Sequence, residues 1–189
     1  MADQIVVYDA CIFYLFTLRN LFVQLAMTGL FRAKWSEKIH DEWMSNLLRD
    51  RPDISNEKVK KIKGLIDKSV PDCLVRDYES LVDTLDLPDA GDRHVLAAAI
   101  QCGAETIITN NLKDFPRHVL NNFNIEAISP DHFLSDQWNS APEIVLHSLK
   151  KCRERLANPS FTADEYLHSL TTHGFITSVA SLRPFQSII

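Results

Sequence analysis

Short apolar runs rich in β-branched residues alternate with longer stretches of helical periodicity along most of this chain. The runs lie at residues 5–8, 106–109 and 125–128, and each has the length and composition of a buried strand. Apolar residues at helical spacing fill the intervening segments, most clearly over 36–49 and 92–102. Strands that alternate with helices predict an α/β fold with three layers, in which helices flank a central, mainly parallel sheet.

The last part of the chain has a different pattern. After Gln137 only helical periodicity remains, and both Ser140-Ala-Pro-Glu143 and Thr162-Ala-Asp-Glu165 match the capping box that begins many helices. We therefore expect an α/β domain over residues 1–138 and a helical C-terminal extension over residues 139–189. The extension is expected to cover the domain, with a partner groove as the alternative.

Glycine is too sparse for the phosphate-binding loops of common nucleotide enzymes. The 189 residues include five glycines, of which Gly91 and Gly103 are the nearest pair. Neither the G-x-G-x-x-G fingerprint nor the P-loop can therefore be written anywhere in the chain. The chain carries 25 acidic and 20 basic residues, for a formal net charge of −5. This balance excludes a protein held to nucleic acid mainly by bulk positive charge.

The cysteines and the most apolar stretch both predict a cytoplasmic protein. The four cysteines are scattered singly, without the spacing of a zinc site or a disulfide framework. Residues 11–28 are apolar on most sides, as in a buried helix, but Arg19 and Gln24 interrupt them and no basic region precedes them. We therefore expect neither a membrane span nor a signal peptide.

Acidic and polar residues stand where parallel strands should end. Asp9 follows the first run, and Thr109, Asn110 and Asn111 follow the second. Asp92 begins a predicted helix and lies on the side of that helix whose apolar residues should pack inward. A buried carboxylate at this position would need a partner. The carboxyl ends of parallel strands share one sheet edge, so these groups are expected to meet. The alternative is that Asp9 and Asp92 only cap their own helices.

A third acid is expected from the helix over 36–49. Asp41 and Glu42 both flank its apolar face, and periodicity does not choose between them. Two carboxylates about 4 Å apart repel by about 4 kcal/mol at an effective dielectric constant near 20. Three such groups would share protons or hold a hard cation.

Four segments together resemble the PIN-domain family, and within it the VapC-like toxins of bacterial toxin–antitoxin pairs. They are Val6-Val7-Tyr8-Asp9, Ser36-x-x-Ile39-x-x-Glu42-Trp43, Pro88-Asp89-x-x-Asp92-Arg93-His94-Val95-Leu96-Ala97-Ala98-Ala99, and Ile107-Ile108-Thr109-Asn110-Asn111-x-x-Asp114-Phe115-Pro116. The resemblance covers about residues 4–138 and implies a metal-dependent endoribonuclease. It matches Asp9, Glu42 and Asp92 to the three principal acids, and so favours Glu42 over Asp41.

The resemblance also implies roles for the remaining site residues. Asp9 and Asp92 would hold Mg²⁺ or Mn²⁺, and Glu42 or Asp114 would orient or deprotonate the attacking water. Thr109, Asn110 and Asn111 would position the substrate or water. Many PIN domains have a fourth acid at the position that Asn111 occupies here. Either the Asn111 amide oxygen or the Asp114 carboxylate could complete the site, and the resemblance does not choose between them. Asp89 is interpreted as a loop residue that caps a turn.

The expected partners are an RNA substrate and a cognate antitoxin protein, and a homodimer is a further candidate. Basic residues that could surround the site include Arg19, Arg32, Lys34, Arg93 and Lys113. The main alternative is a noncatalytic PIN-like interaction module, because Asn111 departs from the acidic pattern. An aspartyl-nucleophile phosphatase is disfavoured, since Cys11 stands where its general acid is needed.

Overall fold

The computed structural model describes residues 4–157 and 159–189, and its centre is a five-stranded parallel sheet. The strand order is β3-β2-β1-β4-β5, and every neighbouring pair is parallel. The strands are β1 (Ile5–Tyr8), β2 (Arg32–Ser36), β3 (Leu74–Val75), β4 (Thr106–Ile108) and β5 (Glu126–Ile128). The predicted α/β fold with a central parallel sheet is confirmed.

Helices cover both faces of this sheet. Val6, Val7 and Tyr8 of β1 point alternately to opposite faces, and all three are fully buried. The helices are α1 (Ala10–Tyr14), α2 (Phe16–Ala26), α3 (Glu37–Asp50), α4 (Asn56–Ser69), α5 (Glu79–Val82), α6 (Arg93–Cys102), α7 (Arg117–Leu120), α8 (Pro130–Ser140), α9 (Pro142–Glu154), α10 (Ala163–Thr172) and α11 (Ile176–Leu182). Four single 3₁₀ turns lie at Ala90–Asp92, Leu112–Asp114, Asn121–Phe123 and Arg183–Phe185.

Strands β2 and β3 are additions to the sequence prediction. β2 contains Arg32 and Lys34, so it lacks the continuous apolar run that marks a buried strand. Lys34 is nonetheless buried, and its charge is compensated because its Nζ donates to the Asp72 carboxylate at 2.7 Å. β3 has only two residues, too few to show any periodicity.

The apolar stretch over residues 11–28 forms two helices rather than the single predicted one. Leu15 has an extended backbone, with φ −82° and ψ 129°, and separates α1 from α2. Most of the apolar residues are buried as expected, and Ile12, Phe13 and Leu18 are fully so, but Phe16 is 55% exposed. Within the described residues, no helix combines the length and the apolar character that a membrane crossing requires.

The C-terminal helices pack into the same core as the sheet. Phe22 of α2 contacts the rings of Phe133 and Phe175, and α9 packs along α2. The capping box at Thr162 and Glu165 is confirmed. The one predicted at Ser140 is wrong, because α8 continues through Ser140 and its hydroxyl donates to the Asp136 carbonyl. The proposed boundary between residues 138 and 139 stays a prediction.

The strand order places a functional edge beside β1. From β1 the sheet grows on one side through β2 and β3, and then on the other side through β4 and β5. The strand order therefore reverses between β1 and β4. In open parallel sheets, ligands bind outside the carboxyl ends of the strands at such a switch point. The residues that follow β1 and β4 therefore define the candidate site.

Candidate active site

Asp9 lies at the switch point and is tied to the residue that follows β4. Its Oδ2 accepts a hydrogen bond from Thr109 Oγ1 at 2.6 Å, and its Oδ1 accepts one from the Ala10 backbone N–H at 2.6 Å. Asp9 is only 6% exposed. Asp9 therefore caps α1, as its capping interpretation predicted. It also accepts a hydrogen bond from Thr109, the residue that follows the neighbouring strand β4.

Asp92 comes to the same edge from the turn before α6. Its side chain makes no capping hydrogen bond within the described chain, so the capping interpretation of Asp92 is wrong. Its Oδ2 instead accepts a hydrogen bond from Asn111 Nδ2 at 3.1 Å, and the Asn111 backbone N–H donates to Thr109 Oγ1. An acid at position 111 would repel Asp92, whereas this amide holds it.

Glu42 projects from α3 into the same cleft as Asp9 and Asp92. Its side chain is 38% exposed, and its Oε2 lies 3.3 Å from His94 Nε2. Asp41, the alternative acid on this helix, is exposed and is absent from the residues described as lining the cleft. The cleft has a volume of about 490 Å³ and is lined by Asp9, Ala10, Cys11, Tyr14, Leu15, Glu42, Trp43, Asn46, Arg49, Asp50, Asp92, Asn110 and Asn111.

Asp114 and Asp89 flank Asp92. One carboxylate oxygen from each of these three residues lies within 4.8 Å of the other two. Asp89 also caps its turn as expected, since its Oδ1 accepts a hydrogen bond from the Gly91 N–H at 2.7 Å. The sequence placed both Asp114 and Asp89 near the site, and the structure brings their carboxylates close to that of Asp92.

Burial, together with the charges of neighbouring acids, raises the pKa values of the Asp9 and Asp92 carboxyls. Burial is the largest cause for Asp92, followed by the charges of Asp9, Asp89, Glu42 and Asp114, and its pKa rises to about 6. Burial likewise raises the pKa of Asp9, with a further contribution from Glu42, while the Thr109 hydrogen bond acts in the opposite direction. Among the described residues, the carboxylates with ligand atoms within 4.8 Å of one another are those of Asp89, Asp92 and Asp114, and such oxygen ligands fit a hard divalent cation. The predicted metal ligand Asp9 lies outside this group, although it lines the same cleft as Asp92.

Several of the basic residues expected to surround the site make other contacts instead. Arg32 and Lys34 both pair with Asp72, and Arg93 lies 3.5 Å from Asp86. The Arg19 guanidinium lies over the rings of Phe16 and Trp43 and donates to the Phe13 carbonyl. Lys113 remains largely exposed.

The sequence interpretation missed other residues at the cleft. Arg49 lies in its wall and pairs with Asp50, which also accepts a hydrogen bond from Tyr14. His94 is buried beside Glu42. A histidine two residues after Asp92, at the start of a predicted helix, was the available signal for this contact.

Comparisons with known proteins agree with this architecture. The family model for the PIN domain matches residues 3–113, and the model for the VapC50 C-terminal domain matches residues 130–184. The chain belongs to the PIN-domain family.

One curated relative is a protein of Mycobacterium tuberculosis (strain ATCC 25618 / H37Rv) named "Putative ribonuclease VapC50". It is 40% identical to this chain over 79 residues, which is 42% of this chain. The matched part spans 47% of the relative's length, less than two thirds. No solved structure matches the chain.

Proposed function

We propose that this protein is a metal-dependent endoribonuclease and the toxin component of a toxin–antitoxin pair. The carrying observation is the convergence of Asp9, Glu42 and Asp92 on one cleft at the switch point of the sheet. Membership of the PIN-domain family and the likeness to a protein named as a VapC ribonuclease support the same assignment.

Asp9 and Asp92 would hold Mg²⁺ or Mn²⁺, with Asp114 and Asp89 adding negative charge beside Asp92. When bound, the cation would neutralise the carboxylates and polarise a phosphate oxygen of the RNA backbone. This neutralisation makes an acidic cleft compatible with a polyanionic substrate.

The protein's own side chains supply the remaining functions. The Glu42 side chain is 38% exposed, whereas Asp9 is buried, so Glu42 is placed to accept a proton from an attacking water. Thr109 holds the Asp9 carboxylate in one orientation through its 2.6 Å hydrogen bond. Asn110 and Asn111 line the cleft and offer amide groups to a phosphate or a water. Asp114 lies close to Asp92 and would tune its charge.

The noncatalytic alternative depended on the missing acid at position 111. Asn111 donates to Asp92 and, through its backbone, to Thr109, so it is integrated with the two groups that organise the cleft. This contact supports a role for Asn111 within an active site.

An apolar groove next to the cleft supports the proposed antitoxin partner. It has a volume of about 830 Å³ and shares Tyr14 and Leu15 with the acidic cleft. Phe16 and Leu65 are more than half exposed along it. Its described lining includes basic but no acidic residues, and these are Arg19, Arg51, Lys58 and Arg155. An amphipathic helix with acidic flanks would complement such a groove.

The test is cleavage of a structured RNA by purified protein in Mg²⁺ or Mn²⁺, compared with Asp9→Asn and Asp92→Asn. The proposal predicts cleavage by the parent protein and a loss of at least about a hundredfold in both variants, as expected when a positioned catalytic group is removed. Equal rates for parent and variants would refute it. Light scattering of the same samples tests the homodimer, which is part of the proposal only as a candidate assembly.

A further inference from the structure

We propose that His94 is a positioning residue for the catalytic carboxylate of Glu42. The proposal rests on the function proposed above, in which Glu42 handles the proton of the attacking water. It adds a residue that neither the acidic motif nor the family comparisons assign.

The contact joins two helices across the cleft. His94 is in the first turn of α6, and its Nε2 lies 3.3 Å from Oε2 of Glu42 on α3. His94 is 6% exposed, so the ring is fixed by its surroundings. The two groups are close but are not aligned as a hydrogen bond in this structure. Contacts between catalytic groups are often long or poorly aligned without substrate and tighten in the reactive complex.

The other ring nitrogen indicates which tautomer is present. His94 Nδ1 is buried and has no hydrogen-bond partner among residues 4–157 and 159–189. A proton on Nδ1 would be a buried donor with nothing to accept it, which is among the costliest unsatisfied groups. We infer that the proton of the neutral ring is on Nε2, which lies 3.3 Å from Glu42, so that His94 can donate to this carboxylate once the pair is aligned.

Glu42 needs such a donor because its surroundings repel it. The charges of Glu42 and Asp9 act on each other, and so do those of Glu42 and Asp92. A glutamate on a helix surface has three side-chain torsions, so repulsion would turn its carboxylate out to solvent. A donor at one oxygen counters this movement and leaves the second oxygen for the cleft.

The start of α6 thus organises the cleft on two sides. Asp92, immediately before the helix, is held by Asn111 from beyond β4, and His94 two residues later contacts Glu42 on α3. One rigid helix start therefore sets the relative positions of two acids that come from distant parts of the sequence.

The test compares variants that keep or remove the donor. His94→Gln can place an amide N–H near the position of Nε2, whereas the shorter His94→Asn cannot reach Glu42, and His94→Leu has no donor. His132→Leu is the matched control, because His132 makes a surface contact with Asp136 at 3.7 Å outside the cleft. Each variant is assayed for RNA cleavage in Mn²⁺, and its folding is checked by thermal unfolding.

The expected result is a fall in kcat of about ten- to a hundredfold for His94→Leu and His94→Asn, with little change in KM, as for other partners that orient a site ligand. His94→Gln should recover most of the rate, and His132→Leu should match the parent. In a Glu42→Gln background, adding His94→Leu should lower kcat by less than about a further twofold. His94 acts through Glu42, and Glu42 is already disabled in that background.

The proposal would be overturned if the separate losses in kcat of Glu42→Gln and His94→Leu multiplied in the double variant. An unchanged kcat in His94→Leu would also overturn it. If His94→Leu fails to fold, equal rates for the Gln and Asn variants would overturn it instead. Failure of this inference is distinct from failure of the proposed function. In the first case the parent cleaves RNA and needs Asp9 and Asp92, while His94 has no effect through Glu42. In the second case the parent itself does not cleave, and both proposals fall.

Discussion

Replacing Asp92 by Asn should stabilise the metal-free protein at neutral pH. The pKa of Asp92 rises from its ordinary value of 3.8 to about 6 because burial and four neighbouring acids disfavour its charged form. At about 1.36 kcal/mol per pH unit, this shift sets an upper limit of about 3 kcal/mol on what ionised Asp92 costs the folded state. Asp92 is only half-buried, so screening by solvent reduces the cost to about 1 to 2 kcal/mol. Asparagine carries no charge, and its Oδ1 can still accept the hydrogen bond that Asn111 donates.

The pH dependence of this gain has a definite sign. Below pH 3.8 the carboxyl is protonated in both folded and unfolded chains, so Asp92→Asn should change the free energy of unfolding little. Between these two pKa values the folded parent keeps a proton on Asp92 that the unfolded chain has lost. The free energy of unfolding of the parent therefore falls as the pH rises towards 6, where the folded state also loses this proton. The advantage of the variant should therefore grow between about pH 4 and pH 6 and level off above about pH 7.

Urea unfolding in EDTA, at several pH values, measures this difference. Asp41→Asn is the matched control, because it removes one negative charge from an exposed position on α3 outside the cluster. Adding Mn²⁺ should reverse the order of stability, since a cation that binds only the folded parent stabilises it. A variant that is less stable than the parent at pH 7.5 in EDTA, or a gain independent of pH, would refute the reasoning.

Three further substitutions test other parts of the account. Thr109→Val removes the donor to Asp9, so it should lower stability by about 1.5 to 3 kcal/mol in urea unfolding and reduce RNA cleavage, with Thr109→Ser as control. Thr162→Ala should cost about 1 kcal/mol by removing the capping box of α10, with cleavage unchanged, and an equal loss in Thr162→Ser would contradict this. Leu65→Glu places a charge in the apolar groove, so it should weaken binding of the proposed antitoxin at least about tenfold in calorimetry. We expect this antitoxin to be encoded by a small open reading frame next to the gene for this protein. Unchanged binding would reject the groove, and cleavage by this variant should match the parent.

The parts of the fold that were predictable have a strong local signal. The runs that became β1 and β4 are short, apolar and β-branched, and nearly all their residues are buried, so hydrophobicity revealed them. β5 has a weaker signal, because Glu126 is exposed and Ile128 alone is buried within the strand. β2 could not be found in this way. Its buried Lys34 is acceptable only because Asp72, far along the chain, pairs with it, and periodicity carries no information about such long-range partners.

Helix ends show the same limit. Thr162 and Glu165 form the predicted capping box, whereas the same pattern at Ser140 does not cap a helix. There, α8 continues through Ser140, and α9 begins two residues later at Pro142. Tertiary packing of α8 against α11 therefore determined the boundary more strongly than the local motif.

Contacts within the candidate site could be predicted where the strand order brings two residues together. They could not be predicted where the contact depends on how helices pack. Asp9 and Thr109 follow neighbouring parallel strands, so their meeting followed from the sheet. The contacts of Asp92 with Asn111 and of Glu42 with His94 depend on how α6 is rotated and packed. A pattern of helical spacing places such residues on a face but does not give distances between helices.

The central claim is that this carboxylate cluster cleaves RNA with a divalent cation. The most direct measurement is the single-turnover cleavage rate of an end-labelled structured RNA as Mn²⁺ is titrated into EDTA-treated protein. The parent and Asp41→Asn should be inactive in EDTA and gain equal activity with Mn²⁺, while Asp9→Asn should stay at least about a hundredfold slower at every concentration. Cleavage in EDTA, or a rate for Asp9→Asn equal to that of the parent, would contradict the account.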